Sequence, residues 1–129
     1  MFELGLALAM VAAGDVSHKH FPICGRERRV TCVVDGDTFW LDRVKYRIAD
    51  IDAPEVSNPR CDAEARLAKT STKRLKTLLN AGPFQIEARG TDRYGRTLAL
   101  LSRDGYSFGA RLVSEGLARN WGDRRGWCE

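Results

Sequence analysis

No C-x-x-C pair occurs in this chain of 129 residues, so the ligand spacing of a structural zinc site is missing. Histidine is scarce as well: His18 and His20 stand together in one polar stretch near the N-terminus, and we assign them no role. No apolar run approaches the roughly 20 residues that a membrane-spanning helix needs; the longest, residues 4–13, is far shorter. No internal repeat, linker or low-complexity segment is present, and the length suffices for one domain with a core but not for two. Charge of neither sign dominates. The 21 Lys and Arg against 17 Asp and Glu leave +4, an excess compatible with a polyanionic partner without specifying one. Its distribution says more: the carboxylates crowd the centre of the chain, and arginine and lysine dominate outside it.

The N-terminal apolar run admits two readings. Its length suits the core of a signal peptide and Val11-Ala12-Ala13 resembles a cleavage site, yet Glu3 is acidic and no Lys or Arg precedes the run. The other reading is a helical or disordered leader. We therefore divide the chain into residues 1–20, a leader or signal-like segment, and residues 21–129, a single domain. The four cysteines, Cys24, Cys32, Cys61 and Cys128, are an even number in a small protein. They point to disulfides and to the periplasm or the exterior, against four reduced thiols in the cytoplasm. All three pairings stay open; Cys24–Cys32 would bridge a loop before the first strand, leaving Cys61–Cys128 to tie the chain end back.

What the chain does have is a set of acids at strand junctions. Val33-Val34 leads into Asp35-Gly36-Asp37, a tight-turn signal that the flanking apolar residues make into a hairpin. Residues 46–51 alternate as a strand and end at Asp52-Ala53-Pro54-Glu55. Acid pairs at two such junctions converge if the strands pair, which builds an oxygen-lined cation site, and Arg47 lies on the strand between them. The predicted strands are residues 30–35, 38–42, 44–51, 84–88 and 97–102. A helix is predicted over 62–80, with Asp62 as its N-cap and Leu67, Leu75, Leu78 and Leu79 on its apolar face. Ser107 is predicted to cap a second helix, 108–114, closed by Gly116. Five short strands with a helix after the third suit an α+β, mainly β, five-stranded OB-fold β-barrel with two to three helices.

Val34-Asp35-Gly36-Asp37-Thr38, then Arg47 to Glu55, then Asp92-Arg93-Tyr94-Gly95-Arg96 resemble, in order, residue type and spacing, the three signature segments of the staphylococcal nuclease (thermonuclease) family. The resemblance covers roughly residues 28–121. It implies metal-dependent hydrolysis of DNA or RNA phosphodiesters, without preference for the sugar and leaving 3′-phosphate ends. Asp37 and Asp52 would be direct metal ligands with the Ala53 carbonyl alongside, and Asp35 would lie in the outer shell. Oxygen-only donors imply Ca²⁺ or another hard divalent cation. Glu55 matches the family's general base, and Arg47 and Arg96 match the pair that grips the phosphate. Asp92 and Tyr94 would contact the substrate, and Trp121 could stack on a base, although an aromatic near a chain end more often belongs to a core.

The chain departs from the family's founding member in three ways. Ala53 stands where that member has Thr, the loop after Glu55 is shorter, and the C-terminal helical tail is missing. We expect a monomer with no membrane span that takes nucleic acid as its substrate, single-stranded DNA or RNA or frayed duplex being preferred. Glu55→Ala, Arg47→Ala and Arg96→Ala are each expected to lose orders of magnitude in turnover with folding retained. The rival reading is a non-catalytic OB-fold module that binds nucleic acid without cutting it.

Overall fold

The computed structural model describes residues 13–128, and the leader reading of residues 1–12 falls outside them. Within that span lie strands β1 (Ala13–Val16), β2 (Cys32–Asp35), β3 (Thr38–Leu41), β4 (Val44–Ile48) and β5 (Ile51–Asp52). Helix α1 (Asp62–Asn80) follows, then β6 (Phe84–Thr91), β7 (Thr97–Arg103), β8 (Tyr106–Ser107), helix α2 (Phe108–Ser114) and β9 (Arg119–Asn120). The large sheet runs β1-β6-β7-β4-β3-β2, with β8 on β7, while β5 pairs only with β9. Stripped of β1 and of the two-residue strands β5, β8 and β9, this is the OB strand order, in which the fifth strand, β7, lies parallel to the third, β4. No helix among the described residues is long and apolar enough to cross a membrane.

Local chemistry accounts for the elements. Asp42 and Arg43 turn β3 into β4 with both backbones left-handed, at φ 49° and 72°, the conformation a two-residue hairpin demands. Asp104 and Gly105 do the same between β7 and β8, at φ 52° and 82°. Ser107 Oγ accepts the Ala110 N–H at 3.0 Å and so caps α2 as the sequence predicts. The α1 cap differs from expectation. Cys61, extended and held to Cys128 by a disulfide, accepts the Glu64 N–H on Sγ, and Asp62 already stands in the first turn. There its charge still favours the positive end of the helix. The second disulfide joins Cys24 to Cys32.

The core is one cluster containing Phe21, Val33, Phe39, Ile48, Leu75, Leu79, Phe84, Leu101, Phe108 and Leu112. Two sequence expectations are revised here. Residues 13–16 form an edge strand on β6, Val16 facing Phe84 in register, so part of the expected leader is built into the sheet. Just beyond it, Phe21 is fully buried, and the Asn80 side chain at the end of α1 clamps its main chain with bonds of 2.8 and 2.9 Å. On α1, Leu67 is only half-buried, and the small Ser71 and Thr72 join the buried face instead.

The reason lies in the Asp35-Gly36-Asp37 turn, which presses onto the helix at Ser71. A Cβ on Gly36 would sit 1.8 Å from Ser71 Oγ and 3.0 Å from the Ala53 Cβ. Gly36 is therefore required for close approach, since its backbone is not left-handed.

The expected strand over 44–51 breaks at Ala49-Asp50. Ala49 N–H turns to the Ala99 carbonyl and the Asp50 carbonyl accepts from Trp121 N–H, which hands the chain from β4 to the β5–β9 pair. The break has a consequence for the site. In an uninterrupted strand, residues five apart point to opposite faces. With the break, Arg47 and Asp52 meet.

Candidate active site

Arg47 and Asp37 form the buried centre of the acid cluster. Arg47 Nη2 lies 3.3 Å from Asp37 Oδ2 and 3.3 Å from Asp52 Oδ1, so one nitrogen joins acids from the two junctions. Its Nη1 donates to the Ile48 and Ile51 carbonyls at 3.0 and 3.1 Å, on either side of the strand break. Asp37 is held from three further directions. The Ala53 N–H donates to its Oδ2 at 2.9 Å, the Thr38 hydroxyl to its Oδ1 at 2.8 Å, and the Ile48 N–H to its carbonyl at 2.9 Å. Asp35 stands behind it, accepting the Asp37 N–H at 3.3 Å.

The crowding of acids shows in their protonation. Burial first, then the Asp37 charge, pushes the Asp35 carboxyl up to about 8. Asp52 is raised by burial and Asp37 against the pull of Arg47. Glu55 is raised by burial and by Asp37, Asp52 and Glu64. One buried guanidinium thus leaves negative charge that a further cation would offset.

Glu64, a residue the sequence reading missed, organises the loop that carries Glu55. Its fully buried carboxylate accepts the Glu55 N–H at 3.3 Å on Oε2 and the Arg60 N–H at 2.9 Å on Oε1. The exposed Arg60 guanidinium covers it with contacts of 3.2 and 3.3 Å. A signal was available: Cys61-x-x-Glu64 has capping-box spacing with Cys in the Ser/Thr place. The Arg60 guanidinium and then its amide hold the Glu64 carboxyl down to about 2.

A depressed folded-state value means that the contribution of Glu64 to stability is present above its unfolded value near 4.5 and lost as pH falls towards 2. Glu64→Gln is expected to melt lower at pH 7 and to flatten the acid side of the stability–pH curve between those limits. Thermal melts across that range check it; a variant curve parallel to the wild type would contradict it.

The third motif closes the other side of a cleft of about 360 Å³ lined by Arg47, Asp92, Tyr94, Arg96, Leu98 and Trp121, among others. Asp92 accepts the Tyr94 and Arg96 amides, both at 3.0 Å, and the Arg96 Nε at 2.7 Å. Against the upward push of burial, the bonds from Arg96 and Tyr94 hold its carboxyl below the usual range. Asp92 therefore orients Arg96 from within its own turn. Tyr94 and Trp121 are 69% and 66% exposed, so Trp121 is not the core residue that chain-end aromatics usually are. The Arg47 guanidinium lies 5.0 Å from the Trp121 ring centre, and that of Arg96 lies 5.4 Å from the Tyr94 ring centre. Arg93, which also lines the cleft, lies 5.1 Å from the same Tyr94 ring centre, so each of the three cleft arginines is beside an exposed aromatic.

Whether these residues suit a metal can be judged from the donors. Among the described residues, no three His, Cys, Asp or Glu side chains converge as a ready-made cluster. The acids that do converge are Asp37 and Asp52, through the shared Arg47 nitrogen, with Ala53 next in the chain. The set is oxygen only and short of positive charge, which fits a hard cation and not zinc.

An OB-type domain whose cleft is lined by three arginines and two exposed aromatics, one of those arginines reaching back to a buried acid cluster, belongs to the small barrels that carry a polar site. Residues 45–125 match the staphylococcal nuclease homologues, and the chain belongs to that family. It is 39% identical over 95 residues to SPbeta prophage-derived endonuclease YokF of Bacillus subtilis, covering 67% of this chain and 31% of that protein. It is 37% identical over 95 residues to endonuclease YncB of the same organism, covering 67% and 44%. To the thermonuclease of Staphylococcus intermedius it is 31% identical over 100 residues, covering 74% and 60%. The chain thus spans less than two thirds of the length of each of these relatives.

Proposed function

We propose that this chain is a metal-dependent nuclease that hydrolyses phosphodiester bonds in DNA and RNA. The observation that carries the reading is that Arg47, which holds both Asp37 and Asp52, also lines the cleft that Arg96 lines. The family, with relatives named endonuclease and thermonuclease, supports the same reading.

Asp37, Asp52 and the Ala53 carbonyl would hold Ca²⁺ or another hard divalent cation, with Asp35 behind them. Bound there, such an ion supplies positive charge to a non-bridging phosphate oxygen. Arg47 and Arg96 bind the remaining phosphate oxygens with planar guanidinium groups and stabilise the charge that gathers on them as phosphorus becomes five-coordinate. Glu55, exposed and two residues beyond Ala53, with its carboxyl raised first by burial and then by Asp37 and Asp52, takes a proton from the attacking water. The new bond is water oxygen to phosphorus, and the bond that breaks is P–O5′. The departing O5′ takes up a proton from solvent, and the products are a 3′-phosphate and a free 5′-hydroxyl.

Tyr94 and Trp121 offer faces to unstacked bases, which favours single strands or frayed duplex. Action in the periplasm or outside the cell fits the two disulfides, and we take the chain to act as a monomer. Purified protein incubated with end-labelled single-stranded DNA or RNA and Ca²⁺ is expected to give shortened products with 3′-phosphate ends. Excess EGTA and EDTA are expected to abolish this. Binding without cleavage would favour the non-catalytic module, and full cleavage in chelator would remove the metal from the mechanism.

A further inference from the structure

We infer that Glu64 is a positioning residue that sets the reach of Glu55 by fastening both ends of its loop to one buried carboxylate; the inference rests on the nuclease reading above. Residues 55–60 carry no helix or strand, and Asn58 among them takes a left-handed backbone at φ 56°. Such a segment has no ladder of its own to hold its first residue in place. Its two ends are nevertheless pinned. Glu64 Oε2 receives the Glu55 amide and Oε1 the Arg60 amide, so the loop closes on a single side chain of the rigid helix α1.

Burying a carboxylate is costly unless it is satisfied, and here each oxygen takes two donors, the amides plus the Arg60 guanidinium. A surface glutamate would stabilise the helix start equally well through its charge. Full burial is needed only to reach the two amides. The Glu55 side chain leaves the main chain at one of those two clamped residues and accepts no hydrogen bond from another described residue. Its direction therefore depends on its own main chain, and that main chain depends on Glu64.

The test is a double-mutant cycle on single-stranded DNA with Ca²⁺. Glu64→Gln keeps the size of the side chain but weakens the shared acceptor, and it is expected to lower kcat by about 10- to 100-fold, the scale of a small misplacement of a reacting group. KM is expected to stay within about 3-fold, since the cleft arginines and aromatics are untouched. In a Glu55→Gln background the same change is expected to cost nothing further. Glu64→Asp, which keeps the charge but draws it back along the helix, guards against misfolding and is expected to recover part of kcat. Hydrogen exchange at the Glu55 and Arg60 amides reads the clamp directly and is expected to quicken in Glu64→Gln.

Wild-type cleavage with undiminished kcat in a folded Glu64→Gln would overturn the positioning role and leave the nuclease reading standing. So would equal losses with and without the Glu55 change. Absence of cleavage by the wild-type chain would overturn both.

Discussion

Replacing Glu55 by glutamine is expected to cut turnover by about 10²- to 10⁴-fold, the contribution of a well-placed general base, and to leave the melting temperature where it was. The two halves of this result have separate causes. The Glu55 side chain is exposed and accepts no hydrogen bond from the described residues, so little of the fold depends on it. Its main-chain N–H, which Glu64 holds, is unaffected by the change. Its carboxyl, however, is raised first by the partial burial that its surroundings impose and then by the charges of Asp37, Asp52 and Glu64, the direction that strengthens a base. Glutamine is the same size and cannot take the proton. Single-turnover kinetics on a saturating oligonucleotide, with a melt alongside, separates the two halves. Activity within a few-fold of wild type would show that some other group activates the water.

Much of this cleft could be read before any coordinates. The junction acids, Arg47 and the Asp92–Arg96 turn are local in sequence, and hairpin chemistry alone brings Asp37 and Arg47 near, because Thr38 pairs with Arg47 in register. The helix over Asp62–Asn80 and the Ser107 cap were legible for the same reason: each is decided within a few residues.

What could not be read depends on contacts across the fold. The residues 44–51 have unbroken strand character, and only pairing with the distant Arg119–Asn120 strand shows that they divide. Glycine in Asp35-Gly36-Asp37 looks like turn chemistry, whereas the structure needs it to admit Ser71 of a helix still to come. Glu64 looks like one more helix-start acid until the loop is seen closing on it. Cys61 was legible as a disulfide candidate but not as the cap, since its extended backbone is set partly by Cys128 at the far end of the chain. Residues 13–16 carry too little pattern to be read as a strand; Phe84–Glu87 supplies the partner.

Arg47→Ala is expected to lose activity and fold stability together, which revises the expectation from sequence alone that folding is retained. The side chain is 8% exposed as a residue and holds four partners: two carboxylates and the carbonyls on either side of the strand break. Alanine would leave Asp37 as a buried acid without its cation and two carbonyls without a donor. Removing one member of a buried pair costs about 3–5 kcal/mol, against a total of about 5–15 kcal/mol for a domain. Asp37 keeps its bonds from Ala53, Thr38 and Ile48, and the half-buried Asp52 can turn to water, so the lower end of that range is the better expectation. Arg47→Lys separates the two roles. It restores a positive charge beside Asp37 and most of the stability, but an ammonium group cannot reach both acids and both carbonyls with a planar fork. Turnover in Arg47→Lys is expected to remain at least about 10²-fold down, the scale of losing one oriented charge donor. Urea denaturation gives the stability and single-turnover cleavage the rate. An Arg47→Ala protein as stable as wild type would mean that the four contacts carry no weight. An Arg47→Lys enzyme at full rate would mean that point charge suffices and that the planar fork has no part in gripping the phosphate.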